Sequence, residues 1–245
     1  MLLKIEKRAE YSKSMVYLTP VIALVLTVLT SIVLFESLGV NPIEALYQFF
    51  IAPLDTEYEF SELFVKATPL ILCAIGLSVG FRANVWNIGA EGQLTMGAIV
   101  GSSLFIYFPE TDSNFLLPAM IIMGALGGAA WAAIPAFFKT RFNANEILTS
   151  LMLVYVALLL LSLLIHGPWR DPAGFNFPES QTFSDSADMP ILIPGTRMHF
   201  GTLLALLAVF GAWIMMARTL IGFQVRVIGE APRAGGYAGI SQKKI

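Results

Sequence analysis

Six runs of mostly apolar residues, at 17–35, 67–81, 92–109, 115–138, 147–165 and 198–217, restrict this chain more than any other feature. A helix crossing the hydrocarbon of a bilayer needs about 20 such residues, because a helix or a closed barrel alone satisfies its own backbone hydrogen bonds there. The runs therefore specify an all-α integral membrane protein, a polytopic helical bundle of about six spans. The composition agrees, with 56 % hydrophobic and 13 % charged residues, where soluble domains carry about 25 % charged. A net charge of −2 offers no basic surface for nucleic acid, so the expected surroundings are membrane lipid. The single cysteine, Cys73, lies inside an apolar run and supports neither a disulfide nor a metal cluster.

The first run follows Lys4, Lys7, Arg8 and Lys13, as a secretory signal would. Its apolar stretch is too long for a signal core, and "FESLGVNPIEA" after it holds no small-residue cleavage site, so it reads as a retained span. Lys and Arg gather in short cytoplasmic loops, which fixes the orientation. With the N-terminus inside, the cytoplasmic set is Lys4, Lys7, Arg8, Lys13, Arg82, Lys139, Arg141, Arg218, Arg226, Arg233, Lys243 and Lys244, twelve of the 15. Lys66, Arg170 and Arg197 remain outside, beside Glu57, Glu59, Glu62, Asp185 and Asp188. The longest extramembrane stretch, 167–197, is outside, rich in Pro, Gly, Ser and Asp, and reads as a lid or docking loop. The cytoplasmic stretch 218–245 is amphipathic with a further apolar run still to come, so the chain is expected to be truncated at its C-terminus.

The segment "NVWNIGAEGQLTMGA", 84–98, breaks this pattern. Amides and a carboxylate are costly near hydrocarbon, and irregular backbone is tolerated there only where protein or a water-filled cavity satisfies it. The segment is either a cytoplasmic loop ending in a helix cap or the lining of a pathway, and the residues alone leave both open. In the pathway reading Asn84, Asn87, Glu91 and Gln93 line or gate it. Further along, "FNANEILTSLMLVYVA" begins with Asn145 as an N-cap and Glu146 in the first turn, where the helix dipole favours negative charge. Asn145, Thr149 and Met152 then share one helical face and are candidates to turn toward the same pathway.

"KATPLILCAIGLSVGFRANVWNIGAEGQLTMGAIVG", "NANEILTSLMLVYVA" and "GEAPRAGGYAGIS" occur here in an order and at spacings that resemble the permease subunits of bacterial ABC importers for nucleosides, simple sugars and branched-chain amino acids. The resemblance implies one permease domain over 1–245 in the bacterial cytoplasmic (inner) membrane. It implies as partners a second, identical or homologous permease subunit, two cytoplasmic ABC ATPase subunits and an external substrate-binding protein. It also implies that 218–245 is a cytoplasmic coupling loop whose short helix docks on the ATPase. Gly229, Glu230, Ala234, Tyr237, Ala238, Gly239 and Ile240 match that pattern. Gly235 and Gly236 replace an alanine and a larger residue, and each weakens a helix by about 1 kcal/mol relative to alanine. A short or irregular coupling helix is the expectation.

An enzyme is not expected. No glycine-rich loop ends in Lys-Ser or Lys-Thr, so ATP hydrolysis belongs to a separate subunit, and no catalytic residue, metal ligand or cofactor is assigned. His166 and His199, at the outer ends of the fifth and sixth spans, read as interfacial residues. The alternative is an ion-coupled secondary transporter, for which Glu91 beside a broken helix is the one favourable feature. Among solutes the resemblance points first to a nucleoside, then to a simple sugar, and last to a branched-chain amino acid.

Overall fold

A computed structural model of the chain describes residues 12–109, 111 and 113–241. Lys4, Lys7, Arg8, Lys243 and Lys244, all counted toward the orientation, lie outside the described residues, as does the side chain of Lys13. The helices are α1 (Lys13–Ser37), α2 (Pro42–Phe50), α3 (Glu57–Arg82), α4 (Ala90–Tyr107), α5 (Leu116–Phe142), α6 (Glu146–His166), α7 (Phe200–Arg218), α8 (Leu220–Glu230) and α9 (Pro232–Tyr237). A 3₁₀ turn, Ala52–Leu54, separates α2 from α3. Extended pairing among the described residues is limited to the bridges Arg170 with Ser180 and Ile191 with His199.

The chain divides into two compact units, 1–63 and 64–245. In the first, α1 is an apolar rod whose polar residues are silenced locally. Thr19, Thr27 and Thr30 donate to the carbonyls of Met15, Ala23 and Leu26, so these three hydroxyls are not left bare toward lipid. Asn41 stops the following turn and caps α2, its Oδ1 accepting from Ile43 N at 3.1 Å, with Pro42 in the first turn where its missing N–H costs nothing.

In the second unit, α4 and α5 form an antiparallel hairpin whose backbones touch. A Cβ on Gly97 would stand 2.9 Å from the Gly124 carbonyl oxygen, and one on Gly101 would stand 2.9 Å from that of Met120. Glycine at these positions permits the close approach. α6 closes on the other side, with the Trp131 indole N–H donating to the Leu153 carbonyl at 3.3 Å from α5.

Among the described residues five helices are long and apolar enough to cross a membrane: α1, α3, α5, α6 and α7. The sixth expected span, 92–109, is α4, and it differs from the others for a physical reason. Its first turns carry Glu91, Gln93 and Thr95, and it buries Gly92, Ile99, Gly101 and Phe105 against α5 and α6. A helix packed along one side on α5 and α6 needs a lipid-compatible surface only on the rest, and the polar residues of its first turns make its sequence less apolar.

The register of the hairpin sets the depth of α4. Residue 97 stands beside 124 and 101 beside 120, so Ala90 lies near the level of Trp131. α5 runs on from there to Phe142, roughly 16 Å farther at 1.5 Å per residue. α4 therefore starts well short of the basic end of α5, and the chain before it enters the bundle as irregular backbone.

At the opposite end the 167–197 loop packs down on the hairpin. Phe183 meets Phe105 edge to face at 5.1 Å, and Phe105, Leu116 and Ala187 form one buried cluster. His199 caps α7, its Nδ1 accepting from Gly201 N at 3.2 Å, and His166 Nδ1 lies 2.8 Å from the Ser162 carbonyl oxygen of the preceding turn. Both histidines serve helix ends. Thr68 of α3 and Thr202 of α7 share a buried hydroxyl bond of 2.9 Å, which satisfies two polar groups in the apolar interior at once.

Candidate functional site

α3 ends in a tight C-terminal motif. Val85 N–H donates to the Gly80 carbonyl at 2.9 Å and Asn84 N–H to that of Phe81 at 3.0 Å, while Asn84 takes the left-handed conformation at φ 56°. Asparagine is the residue besides glycine that accepts this position most readily. The indole N–H of Trp86 then donates to Asn84 Oδ1 at 3.3 Å, and the Trp86 ring leans on Phe81 with centroids 5.0 Å apart.

Between Trp86 and α4, side chains accept from the backbone N–H groups of Ile88 and Gly89. Ile88 N–H donates to Ser150 Oγ of α6 at 3.1 Å, and Ser150 Oγ in turn donates to the Ile147 carbonyl at 3.2 Å. Asn87 Oδ1 accepts from Gly89 N–H at 2.8 Å, and Asn87 Nδ2 donates to Gln93 Oε1 at 3.2 Å. Gly89 is pressed against α6, where a Cβ would come within 2.9 Å of Ser150 Cβ. Removing the buried Ser150 hydroxyl leaves the Ile88 amide without an acceptor, which costs about 1–3 kcal/mol. Ser150→Ala is accordingly expected to lower the thermal midpoint of the detergent-purified protein and to loosen 84–89 to proteolysis, whereas Ser162→Ala, at the other end of α6, leaves 84–89 as resistant as in the wild type.

Where α4 stops short, a cavity of about 650 Å³ opens. Asn84, Asn87 and Gln93 form one wall, and the glycine edge of α3 at Gly76 and Gly80 forms another. The last turns of α5, from Ala132 to Asn143, supply a third, and Ile228 and Pro232 close the floor. Lys139 Nζ donates to Glu146 Oε1 across the α5–α6 turn, within this lining. Lys139 stands in the last turn of α5 and Glu146 in the first turn of α6, so each sits at the helix end whose dipole favours its charge. The Trp86 backbone N–H faces the same carboxylate, which ties the irregular segment to the ion pair.

The structure brings Asn84, Asn87 and Gln93 together around the cavity. Glu91 is exposed on the first turn of α4 and lies outside the lining. Asn145 caps α6, accepting from Ile147 N–H at 2.9 Å and Leu148 N–H at 3.3 Å, and Thr149 donates back to the Asn145 carbonyl at 3.0 Å. Met152, 57 % exposed, continues that face away from the cavity. The inward face of α6 is one residue round: Glu146, Ser150, Val154 and Ala157, spaced by four, four and three. Lys139 and Ser150 were not singled out from the sequence as lining residues. The spacing of Glu146 and Ser150 was the signal available for the second.

α8 folds back from α7 through Thr219, whose Oγ1 donates to the Met215 carbonyl at 2.6 Å and accepts from Gly222 N–H at 3.3 Å. Gly229 then lies directly on the end of α3, where any Cβ would run into the Arg82 carbonyl oxygen. α9 is a helix of six residues, short as its glycines imply. Gly239 ends it at φ 77°, and Ile240 N–H turns back to the Gly235 carbonyl at 2.9 Å. Gly235 packs on Val227 and Ile228, which leaves Ala234, Tyr237 and Ala238 outward, with Tyr237 94 % exposed. Ile240 lies beyond the helix and is half-buried, so Tyr237 stands as the single large apolar group of this face. Glu230, the last residue of α8, is exposed beside it.

Five helices among the described residues that are long and apolar enough to cross a membrane, and a mostly apolar cavity with a few placed amides in its wall, define a multi-pass helical membrane protein. Residues 60–245 match the family described as branched-chain amino acid transport system / permease component, and the chain belongs to that family. It is 34 % identical over 253 aligned positions to a glucose ABC transporter permease protein of Haloferax volcanii, covering 99 % of this chain and 66 % of that protein. It is 28 % identical to a nucleoside ABC transporter permease protein of Lactococcus lactis subsp. cremoris, covering 95 % of this chain and 66 % of the relative. With a guanosine ABC transporter permease protein of Bacillus subtilis the identity is 30 %, covering 76 % of this chain and 54 % of the relative. The chain thus spans just under two thirds of the first two relatives and about half of the third. No solved structure matches it.

Proposed function

We propose that the chain is the transmembrane permease subunit of an ATP-driven importer, passing a small polar solute, a nucleoside first and a simple sugar second, across the cytoplasmic membrane. The observation that carries this reading is the cavity at the helix break. Its volume of about 650 Å³ falls in the range of about 300–1,000 Å³ that small-molecule sites occupy, and its walls combine apolar surface with a few placed amides. ATP chemistry resides on cytoplasmic ABC ATPase subunits that dock against α9, with Tyr237 as the anchor of a helix-in-groove contact. A second permease subunit completes the membrane part, and an external binding protein delivers solute to the side of the 167–197 loop. The sugar reading has its own support in the glucose permease relative, which aligns over 99 % of this chain.

The test is uptake into proteoliposomes that hold the full-length permease pair and its ATPases, fed by the binding protein. Uptake of labelled nucleoside that requires ATP supports the proposal, and uptake driven by an ion gradient without ATP overturns it. Truncating an exposed aromatic anchor at an interface costs about 2 kcal/mol or more, a factor of roughly 30 in binding. Tyr237→Ala is therefore expected to leave the protein inserted while ATPase association weakens by about that factor and uptake falls with it. Wild-type association and uptake in Tyr237→Ala overturn the docking assignment of α9.

A further inference from the structure

The hydrogen bonds around the break decide which way its amides face. A backbone N–H can only donate, so the bond from Gly89 fixes the acceptor end of Asn87 as Oδ1. Asn87 must then present its NH2 to Gln93, which makes Oε1 the engaged atom of Gln93 and leaves its Nε2 with no protein partner among the described residues. The same logic holds one turn away. The Trp86 indole is a donor only, so it fixes Asn84 Oδ1 as the engaged atom and leaves Asn84 Nδ2 without a protein partner among the described residues. Both residues line the cavity, and so does Lys139, whose ammonium has protons to spare beyond the one given to Glu146. The strongest acceptor of the wall, the Glu146 carboxylate, is already held by Lys139 and faced by the Trp86 N–H.

The geometry points to Gln93 and Asn84 as specificity-determining residues whose free NH2 groups, directed by their engaged oxygens, give the cavity wall two donors for the adjacent carbonyl and ring-nitrogen acceptors of a planar solute, as on the O6–N7 edge of an oxo-purine nucleoside, where an amino-purine places a donor beside N7. This rests on the solute-cavity reading above and deepens it. Donors facing donors leave both sides unpaired in a site from which water is displaced, and sites built on placed hydrogen bonds discriminate strongly for that reason. A sugar hydroxyl both donates and accepts, so it pairs with an amide or a carboxylate alike.

The isosteric variants Gln93→Glu and Asn84→Asp keep the engaged oxygen for Asn87 or Trp86 and turn the free NH2 into an acceptor. Equilibrium binding of labelled inosine and adenosine is measured on the full-length permease pair with its ATPases in lipid nanodiscs, without the binding protein, so that no other subunit selects the base. Inosine carries a 6-oxo acceptor where adenosine carries a 6-amino donor. Wild type is expected to favour inosine, and each variant to lower the inosine-to-adenosine affinity ratio by about tenfold. A role confined to holding the loop leaves that ratio alone. If both nucleosides bind and the ratio is unchanged in both variants, which still assemble with the ATPases, the donor-site assignment falls and the solute-cavity reading stands. If wild type binds neither nucleoside, the nucleoside reading and this assignment fall together.

Discussion

Replacing Gly229 with valine is expected to reduce uptake by roughly 100-fold while the protein still inserts and still binds its ATPases. The contact at this position is backbone on backbone, because α8 rests on the Arg82 carbonyl and the Ala83 backbone with no room for a Cβ. A flexible side chain yields to an intruding methyl, but two main chains must separate, which costs about 1–3 kcal/mol and moves the elements apart. Arg82 and Ala83 are the last steps before Asn84, the left-handed residue that closes α3 and enters the cavity wall. Ile228, the neighbour of Gly229, and Pro232, the first residue of α9, line the same cavity from below. In the coupling proposed above, a movement of α9 would reach 84–89 through the contact of α8 at Gly229 with Arg82 and Ala83. Misplacement of a functional constellation by about 1 Å is enough for a loss of about 100-fold. Gly236→Ala is the control: nothing lies within 4 Å of its would-be Cβ, so it is expected to firm α9 by about 1 kcal/mol and keep uptake. Simultaneous measurement of ATP hydrolysis and uptake checks this, and wild-type uptake in Gly229→Val removes α8 from the coupling path.

Much of the architecture was legible because a bilayer leaves a chain few choices. Among the described residues, five of the six apolar runs are helices long and apolar enough to cross a membrane. The sixth, α4, was readable as a helix but its close packing on α5 was not, since the glycines that allow that approach look in sequence like any small residues. The amides of 84–98 stood out in the sequence for a related reason: polar groups and glycines between two apolar runs need partners, and Asn84, Asn87 and Gln93 each engage a side-chain oxygen or amide in a hydrogen bond beside the cavity.

The inward face of α6 was not legible. Asn145 is the most conspicuous polar residue there, yet its Oδ1 is spent on Ile147 and Leu148 N–H groups, and Thr149 is spent on the Asn145 carbonyl. A residue that caps a helix reports where the helix begins, not which side faces a cavity. Ser150, one residue farther on, carries the tertiary bond to Ile88, and a serine between Thr149 and Leu151 gives no sign of a partner 62 residues away. Lys139 was legible as a topological charge alone, because its pairing with Glu146 depends on how the turn at Asn143, in the left-handed conformation at φ 53°, folds α6 back on α5.

That pair separates two roles which a single substitution confounds. Glu146→Lys sets two ammonium groups against each other at the cavity wall, a repulsion of about 4 kcal/mol at close range and an effective dielectric of about 20. The partial exposure of the two side chains, 34 % and 21 %, lowers the figure to about 2 kcal/mol. Glu146→Lys is expected to lose uptake by roughly 100-fold, and Lys139→Glu, with two facing carboxylates, to do nearly as badly. The informative variant is the exchange, Lys139→Glu with Glu146→Lys. It restores attraction between α5 and α6, but it places a cation at the N-terminus of α6 and an anion at the C-terminus of α5, each against its helix dipole. It also turns an ammonium toward the Trp86 N–H, where a carboxylate stood. Were the two residues no more than a clasp between helices, the exchange would recover most of the uptake. Since Glu146 also holds the broken segment, the exchange is expected to restore thermal stability to within about 1 kcal/mol of either dipole penalty while uptake stays at least tenfold down. Full recovery of uptake in the exchanged protein, measured beside its thermal midpoint, confines the pair to a structural clasp and takes Glu146 out of the cavity's function.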